Sequence, residues 1–165
     1  MAHREPRLAP YLVTAARSEH LDEIARIEQE SFLVPWKREF FEGELAEPYR
    51  YSRVLESQDG SIPLVGGYLF AVSLYEEFHI NKIATDPRVR NRGLGRLLLE
   101  DALGRARSAG ATAITLEVRI SNIPAREFYA SYGFREAYRR RSYYQDGEDA
   151  FAMVLPLRDG PKFRA

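Results

Sequence analysis

The stretch Arg90-Asn91-Arg92-Gly93-Leu94-Gly95-Arg96 has the residue types of an anion cradle. An extended run, residues 78–85, precedes it, and a helical pattern from Leu94 to about Ala109 follows. The first amides of a helix have no partner within the helix, and its dipole favours negative charge there. Gly93 and Gly95 lack a Cβ, so a bulky anion can come close to the backbone. Arg90, Arg92 and Arg96 add positive charge. The stretch reads as a cradle for a diphosphate. It is not the phosphate loop of nucleotide hydrolases, because Gly95 is followed by Arg96 and Leu97 rather than Lys-Ser/Thr. It is not the dinucleotide fingerprint either, because Leu98 stands where a third glycine is needed. A solvated helix start softened by glycine is the other reading of these residues.

Three further side chains are chemically capable. Residues 112–119 alternate, with Ala113, Thr115, Glu117 and Arg119 on one face and Ile114, Leu116 and Val118 on the other. By residue type alone, Glu117 is a surface carboxylate paired with Arg119 or Arg126. Tyr129 packs a short helix, a role that Phe128 and Tyr132 serve equally. Asn122 caps that helix.

The elements that position these groups follow from patterning. Tyr11–Arg17 suits a first strand, and Ser18 an N-cap for a helix with Leu21, Ile24, Ala25 and Ile27 inside. Residues 31–36 break it, and a second helix runs from Lys37 to about Ala46, bringing Phe40 and Phe41 near Leu45. Tyr49–Leu55, Leu64–Leu74 and residues 77–85 are strands. Gly66 and Gly67 mark a bulge or a close backbone approach. Asp86-Pro87 ends the third of these strands. Leu94, Leu98 and Ala102 stack in the next helix, with Asp101 and Arg105 paired on its wet face. Residues 134–144 are extended, Asp146-Gly147 signals a hairpin, and Ala150–Leu155 is the last strand. The order β-α-α-β-β-β-α-β-α-β-β predicts an α/β mixed sheet of about seven strands with helices on both faces. The three consecutive strands argue for antiparallel pairing, and the units around residues 94 and 125 for parallel crossovers. Residues 1–10 read as a flexible lead-in, 11–157 as one domain and 158–165 as a polar tail.

Composition narrows the function. Lys plus Arg and Asp plus Glu are equal at 24 each, so no global charge draws the chain to nucleic acid or anionic membrane. No run is apolar and long enough to span a bilayer, and no signal-peptide core opens the chain, so the expected location is cytoplasmic. There is no cysteine, which removes disulfides and a cysteine acyl-enzyme. Three histidines far apart in sequence argue against a metal centre.

The remaining pattern, Arg-x-x-Gly-x-Gly, resembles the pyrophosphate loop of the Gcn5-related N-acetyltransferase (GNAT) superfamily, which binds acetyl-coenzyme A. The element order is similar to that family's along nearly the whole chain. Leu116–Asn122 followed by Phe128–Phe134 resembles the segment that completes the family's cofactor site. Arg140–Tyr144 with Asp146–Ala150 is similar to the substrate hairpin of the N-terminal acetyltransferases. Together with Pro35-Trp36 after Phe32, it resembles the RimI type, which acetylates the N-terminal alanine of a small-subunit ribosomal protein. Thr85 and Ser142 depart from the residues common there, an aliphatic and an asparagine.

The resemblance implies roles. Arg90, Asn91, Arg92, Gly93, Leu94, Gly95 and Arg96 hold the pyrophosphate of acetyl-CoA. Backbone groups of Ile83, Ala84 and Thr85 hold the pantetheine arm, with Asn122 and Tyr129 beside it. Glu117 is the general base, Tyr129 the general acid, and Trp36, Tyr143 and Tyr144 line the peptide groove. No metal takes part. The partner is a protein N-terminus, such as that of a ribosomal protein. Alternatives are acetylation of a small amine or of lysine, and a non-catalytic coenzyme A-binding module.

Acid-base arithmetic bears on the choice. An α-amine, pKa about 7.7–8.0, is roughly a tenth to a fifth neutral at pH 7, and removing its proton costs about 1 kcal/mol. For lysine the cost is about 4–5 kcal/mol. A single carboxylate is adequate for the first task.

Overall fold

The computed structural model describes residues 10–157. Most of the expected lead-in (residues 1–10) and the whole expected tail (158–165) lie outside the described residues. The elements are β1 (Tyr11–Ala15), α1 (Leu21–Ser31), α2 (Arg38–Ala46), β2 (Arg50–Ser57), β3 (Val65–Leu74), β4 (Glu77–Thr85), α3 (Leu94–Ser108), β5 (Ala113–Arg119), α4 (Ile123–Ser131), β6 (Arg135–Arg140) and β7 (Ala150–Pro156). The strands form one mixed sheet in the order β1-β2-β3-β4-β5-β7-β6. The described residues sort into two compact units, 10–70 with 82–102 and 71–81 with 103–157.

In the first unit, α1 turns Leu21, Ile24 and Ile27 inward at helical spacing. They meet Phe41 of α2 and Val54, Val65, Tyr68 and Phe70 of the strands. Each is almost fully buried, and burial of such a side chain stabilises by about 1.5–3 kcal/mol. Phe41 packs edge-on against Tyr68 at 5.6 Å between ring centres. Phe40, one residue away, is exposed.

Glu28 of α1 is fully buried in this core. It accepts the Tyr68 hydroxyl, the Trp36 backbone N–H at 3.0 Å and the Lys82 ammonium at 2.7 Å. The same ammonium lies 3.5 Å from the Phe32 ring centre. A buried carboxylate survives only with such a full set of partners. The network ties the segment between α1 and α2 to β4. The Gly66-Gly67 pair marks close approach, as expected. A Cβ on Gly67 would lie 2.6 Å from the Ala84 carbonyl oxygen, and one on Gly66 2.9 Å from the Tyr11 ring.

One local expectation fails here. Ser18 does not cap α1. It opens a short 3-10 turn, Ser18–His20; His20 stands at the N-cap of α1 without a side-chain cap bond, and its Nδ1 instead accepts the Arg17 N–H at 2.9 Å. On α3, Asp101 accepts the Tyr51 hydroxyl at 2.5 Å and Arg53 Nε at 3.2 Å, both donors from β2.

In the second unit, β4 and β5 run parallel with His79 opposite Thr115. β5 then pairs antiparallel with β7, Glu117 opposite Ala152, and β7 with β6. The β5-α4-β6 crossover therefore skips one position, which the last strand fills. The burial of β5 alternates as expected, with Ile114, Leu116 and Val118 buried. The expected extended stretch 134–144 stops at Arg140. Ser142 turns to φ 47° and donates its N–H to Asp149 Oδ1 at 2.7 Å. Residues 141–149 form a loop in which Gly147, at φ 89°, donates to the Tyr144 carbonyl.

Candidate active site

The glycine loop starts from a fixed base. Asp86 is fully buried, its N–H donates to the Gly66 carbonyl at 2.8 Å, and its carboxylate accepts the Arg88 N–H at 2.9 Å and Arg26 at 2.7 Å. Burial alone would raise its pKa; the hydrogen bonds from Arg88 and Arg26 outweigh burial and hold it at about 2. Arg90 reaches back, donating to the Thr85 carbonyl at 3.3 Å and the Ser31 hydroxyl at 3.0 Å. Leu94 is buried and anchors the start of α3. Between them, Asn91 (φ 62°) and Gly93 (φ 76°) adopt left-handed backbone. Left-handed residues set into a loop in this way are the backbone from which anion nests are built. A Cβ on Gly93 would meet nothing within 4 Å, so the approach is open. Asn91, Arg92, Gly93 and Arg96 are exposed, with Arg96 3.8 Å from Glu100. Ile83, Ala84 and Thr85 are half-buried at the end of β4. The residues present fit a diphosphate.

Glu117 sits on the half-buried face of β5, its side chain 13% exposed. The partners expected from sequence, Arg119 and Arg126, are elsewhere. Arg119 pairs with Asp146 at 2.8 Å and Glu148 at 3.1 Å, and Arg126 with Glu136 at 2.7 Å. One oxygen of Glu117 lies 3.0 Å from His79 Nε2, and the other 3.4 Å from Arg140 Nε. Nδ1 of His79 lies 2.7 Å from the Thr115 hydroxyl. Burial works to raise the pKa of Glu117, but the His79 hydrogen bond and the charges of His79 and Arg140 outweigh it and hold it below the usual carboxylate value. An ionised carboxylate only accepts, so Nε2 carries a hydrogen; in the neutral ring Nδ1 then accepts the Thr115 hydroxyl. Thr115-His79-Glu117 is a hydrogen-bonded relay ending on a carboxylate. The sequence gives no direct sign of His79 as a partner. Its place depends on which strand lies beside β5 and in what register.

Tyr129 is buried on α4, 5.7 Å from Phe134 and 5.4 Å from Phe128 between ring centres. Burial pushes its pKa well up, with Tyr144 adding to the shift, so it keeps its proton. Asn122 is exposed and caps α4, its side chain accepting the Ala125 N–H at 3.2 Å. Tyr143 and Tyr144 meet edge to face at 5.1 Å. Tyr144 lies under the Arg119 guanidinium at 4.0 Å, and burial raises its pKa to about 12. Trp36, in the first unit, packs on Phe40 and Phe41 and lies 5.0 Å from the Lys82 ammonium. Among the described residues, no group of three or more His, Asp or Glu side chains is placed to hold a metal ion, and no helix is long and apolar enough to cross a membrane.

The seven-stranded mixed sheet in the order β1-β2-β3-β4-β5-β7-β6 is an acetyltransferase fold. Residues 21–134 match the acetyltransferase (GNAT) family, and the chain belongs to it. It is 36% identical over 135 residues to the [ribosomal protein bS18]-alanine N-acetyltransferase of Salmonella typhimurium, covering 80% of this chain and 88% of that one. It is 37% identical over 134 residues to the protein of the same name from Escherichia coli K12, covering 79% and 87%. The crystal structure of the ribosomal-protein-S18-alanine N-acetyltransferase from Escherichia coli superimposes with a TM-score of 0.81 at 30% identity, over 94% of this chain and 99% of that one.

Proposed function

We propose that this enzyme acetylates the α-amine of a protein N-terminus beginning with a small residue such as alanine, using acetyl-CoA. The observation that carries the reading is the Thr115-His79-Glu117 relay. A carboxylate held ionised and half-buried suits removal of one proton from an α-amine, a task of about 1 kcal/mol at pH 7. The amine attacks the thioester carbonyl directly, the thiolate leaves, and no acyl-enzyme forms. Bound acetyl-CoA supplies the activated acetyl group. The exposed amides and cations of residues 91–96 hold its diphosphate, and backbone groups of Ile83, Ala84 and Thr85 with the side chain of Asn122 hold the pantetheine arm. Glu117 takes the amine proton, with His79 fixing the carboxylate and sharing its charge. Tyr129, a phenol kept protonated by burial, gives a proton to the leaving thiolate. Trp36, Tyr143 and Tyr144 contact the peptide. The names of the relatives support a ribosomal protein as target, and a cytoplasmic place of action goes with that reading.

The test is a peptide panel incubated with acetyl-CoA and read by mass spectrometry. Peptides with free Ala or Ser at the N-terminus gain one acetyl group on the α-amine, and blocking that amine abolishes turnover. Equal reaction of blocked peptides at lysine would overturn the reading.

A further inference from the structure

The oxygen of Glu117 that His79 leaves open is not bare. Arg140, the last residue of β6, lies against it at 3.4 Å between Nε and Oε1. The Arg140 side chain is 43% exposed, three times the exposure of the carboxylate it covers. It is not locked there. Its terminal nitrogen donates to the Tyr138 hydroxyl at 3.1 Å, and the guanidinium lies 5.4 Å from the ring centres of both Tyr138 and Tyr143. These exposed rings give the cation a second resting place once it leaves the carboxylate. The chain also turns away immediately beyond it, at Ser142, so the side chain sits at a strand end rather than within the paired run.

We infer that Arg140 is a placeholder cation: it occupies, on the free oxygen of Glu117, the position that the ionised α-amine of the substrate must take, and the arriving amine displaces it. The inference rests on the N-terminal acetylation reading and adds a competition to it. An ammonium and a guanidinium are both hydrogen-bond donors of like charge. Both cations seek the same oxygen, and like charges side by side are unfavourable. While the site is empty, Arg140 keeps Glu117 charged and covered. When the amine arrives, the guanidinium moves to the Tyr138 and Tyr143 faces and Glu117 is left with His79 and the substrate. Arg140 therefore acts on binding through Glu117, as a positioning residue, and takes no part in bond making.

The experiment compares two peptides at about pH 6, where the α-amine is almost fully ionised. One begins with a free alanine; the other is identical but lacks only the α-amino group. Each is titrated calorimetrically into the wild-type protein and into Arg140→Gln, with coenzyme A present so that no acetyl can transfer. Loss of the competing cation tightens the free-amine peptide by about threefold or more, the scale of one partly exposed ion pair, and leaves the des-amino peptide unchanged. Arg140→Lys, which keeps a cation, behaves as wild type. In turnover, Arg140→Gln lowers KM without lowering kcat. Weaker binding of the free-amine peptide, or equal shifts for the two peptides, would overturn the inference. If the wild type acetylates α-amines and Arg140→Gln shows no difference, only this inference falls; if it acetylates none, the reading beneath it falls.

Discussion

Glu117 and Tyr129 are set apart by what their surroundings do to a proton. Hydrogen bonds and charge hold Glu117 ionised, while burial holds Tyr129 protonated. A base and an acid that coexist at neutral pH need this divergence. Glu117→Gln keeps the shape and loses the base, so kcat is expected to fall by about 10²–10⁴-fold at pH 7. The deficit shrinks as pH rises and more of the α-amine is neutral in solution. Tyr129→Phe lowers kcat without that rescue. Because the folded-state pKa of Glu117 is depressed, the ionised base persists as pH falls below the usual carboxylate value of about 4.3. A pH–rate profile of the three proteins under saturating substrates is the check; near-native kcat for Glu117→Gln across it would place the base elsewhere. At this scale the sequence was half legible. Alternation along β5 put Glu117 on its correct face, because side-chain direction in a strand is local. Its partners were not legible, because His79 and Arg140 come from other strands, and the nearby Arg119 and Arg126 are held by carboxylates of their own.

At the scale of elements, an open loop runs into the packed helix α3, and one glycine in each, Gly93 before α3 and Gly104 within it, separates those roles. Gly93 has left-handed backbone and open space before it; Gly104 has ordinary helical backbone and equally open space. Gly93→Val adds a branched side chain where the diphosphate approaches, and strains the loop by about 1–2 kcal/mol. Acetyl-CoA affinity is expected to drop by about tenfold or more, or about 1.4 kcal/mol. Gly104→Ala should leave that affinity unchanged and stabilise the protein by about 0.5–1 kcal/mol, as alanine does inside a helix. Calorimetric titration and urea unfolding of the two variants distinguish a phosphate site from a merely delicate helix. The boundaries of this element were readable from residue type, since glycines, Asp86-Pro87 and the leucine spacing are local signals. The 3-10 turn before α1 and the loop at 141–149 were not. In both, a side chain other than the expected one, His20 or Asp149, bonds the backbone and wins over local propensity.

For the molecule as a whole, Asp86 sets an acid limit. Its folded pKa is about 2, against about 3.9 for a free aspartate. A depressed carboxylate contributes stability that is fully present above the unfolded value and is lost as pH falls through the folded one. The difference amounts to about 2–3 kcal/mol. Asp86→Asn should therefore be about 2–3 kcal/mol less stable than wild type at pH 6, with the gap closing between about pH 4 and pH 2. Urea unfolding at stepped pH measures this directly; a gap independent of pH would mean that Asp86 acts by shape alone. The global architecture was the most legible level, because the alternation of strand and helix patterns fixes the element order. The insertion of β7 between β5 and β6 was not, since no local feature of Ala150–Pro156 says which edge it will join.

That insertion has a consequence for synthesis. The strand carrying Glu117 is made well before its neighbour, because β7 is the last strand of the described chain. Until β7 clears the ribosome, β5 has an unpaired edge and β6 has no strand to join. A nascent chain halted after β6 thus carries β5 with one edge open, and the strand of Glu117 gains its second neighbour only when β7 is made.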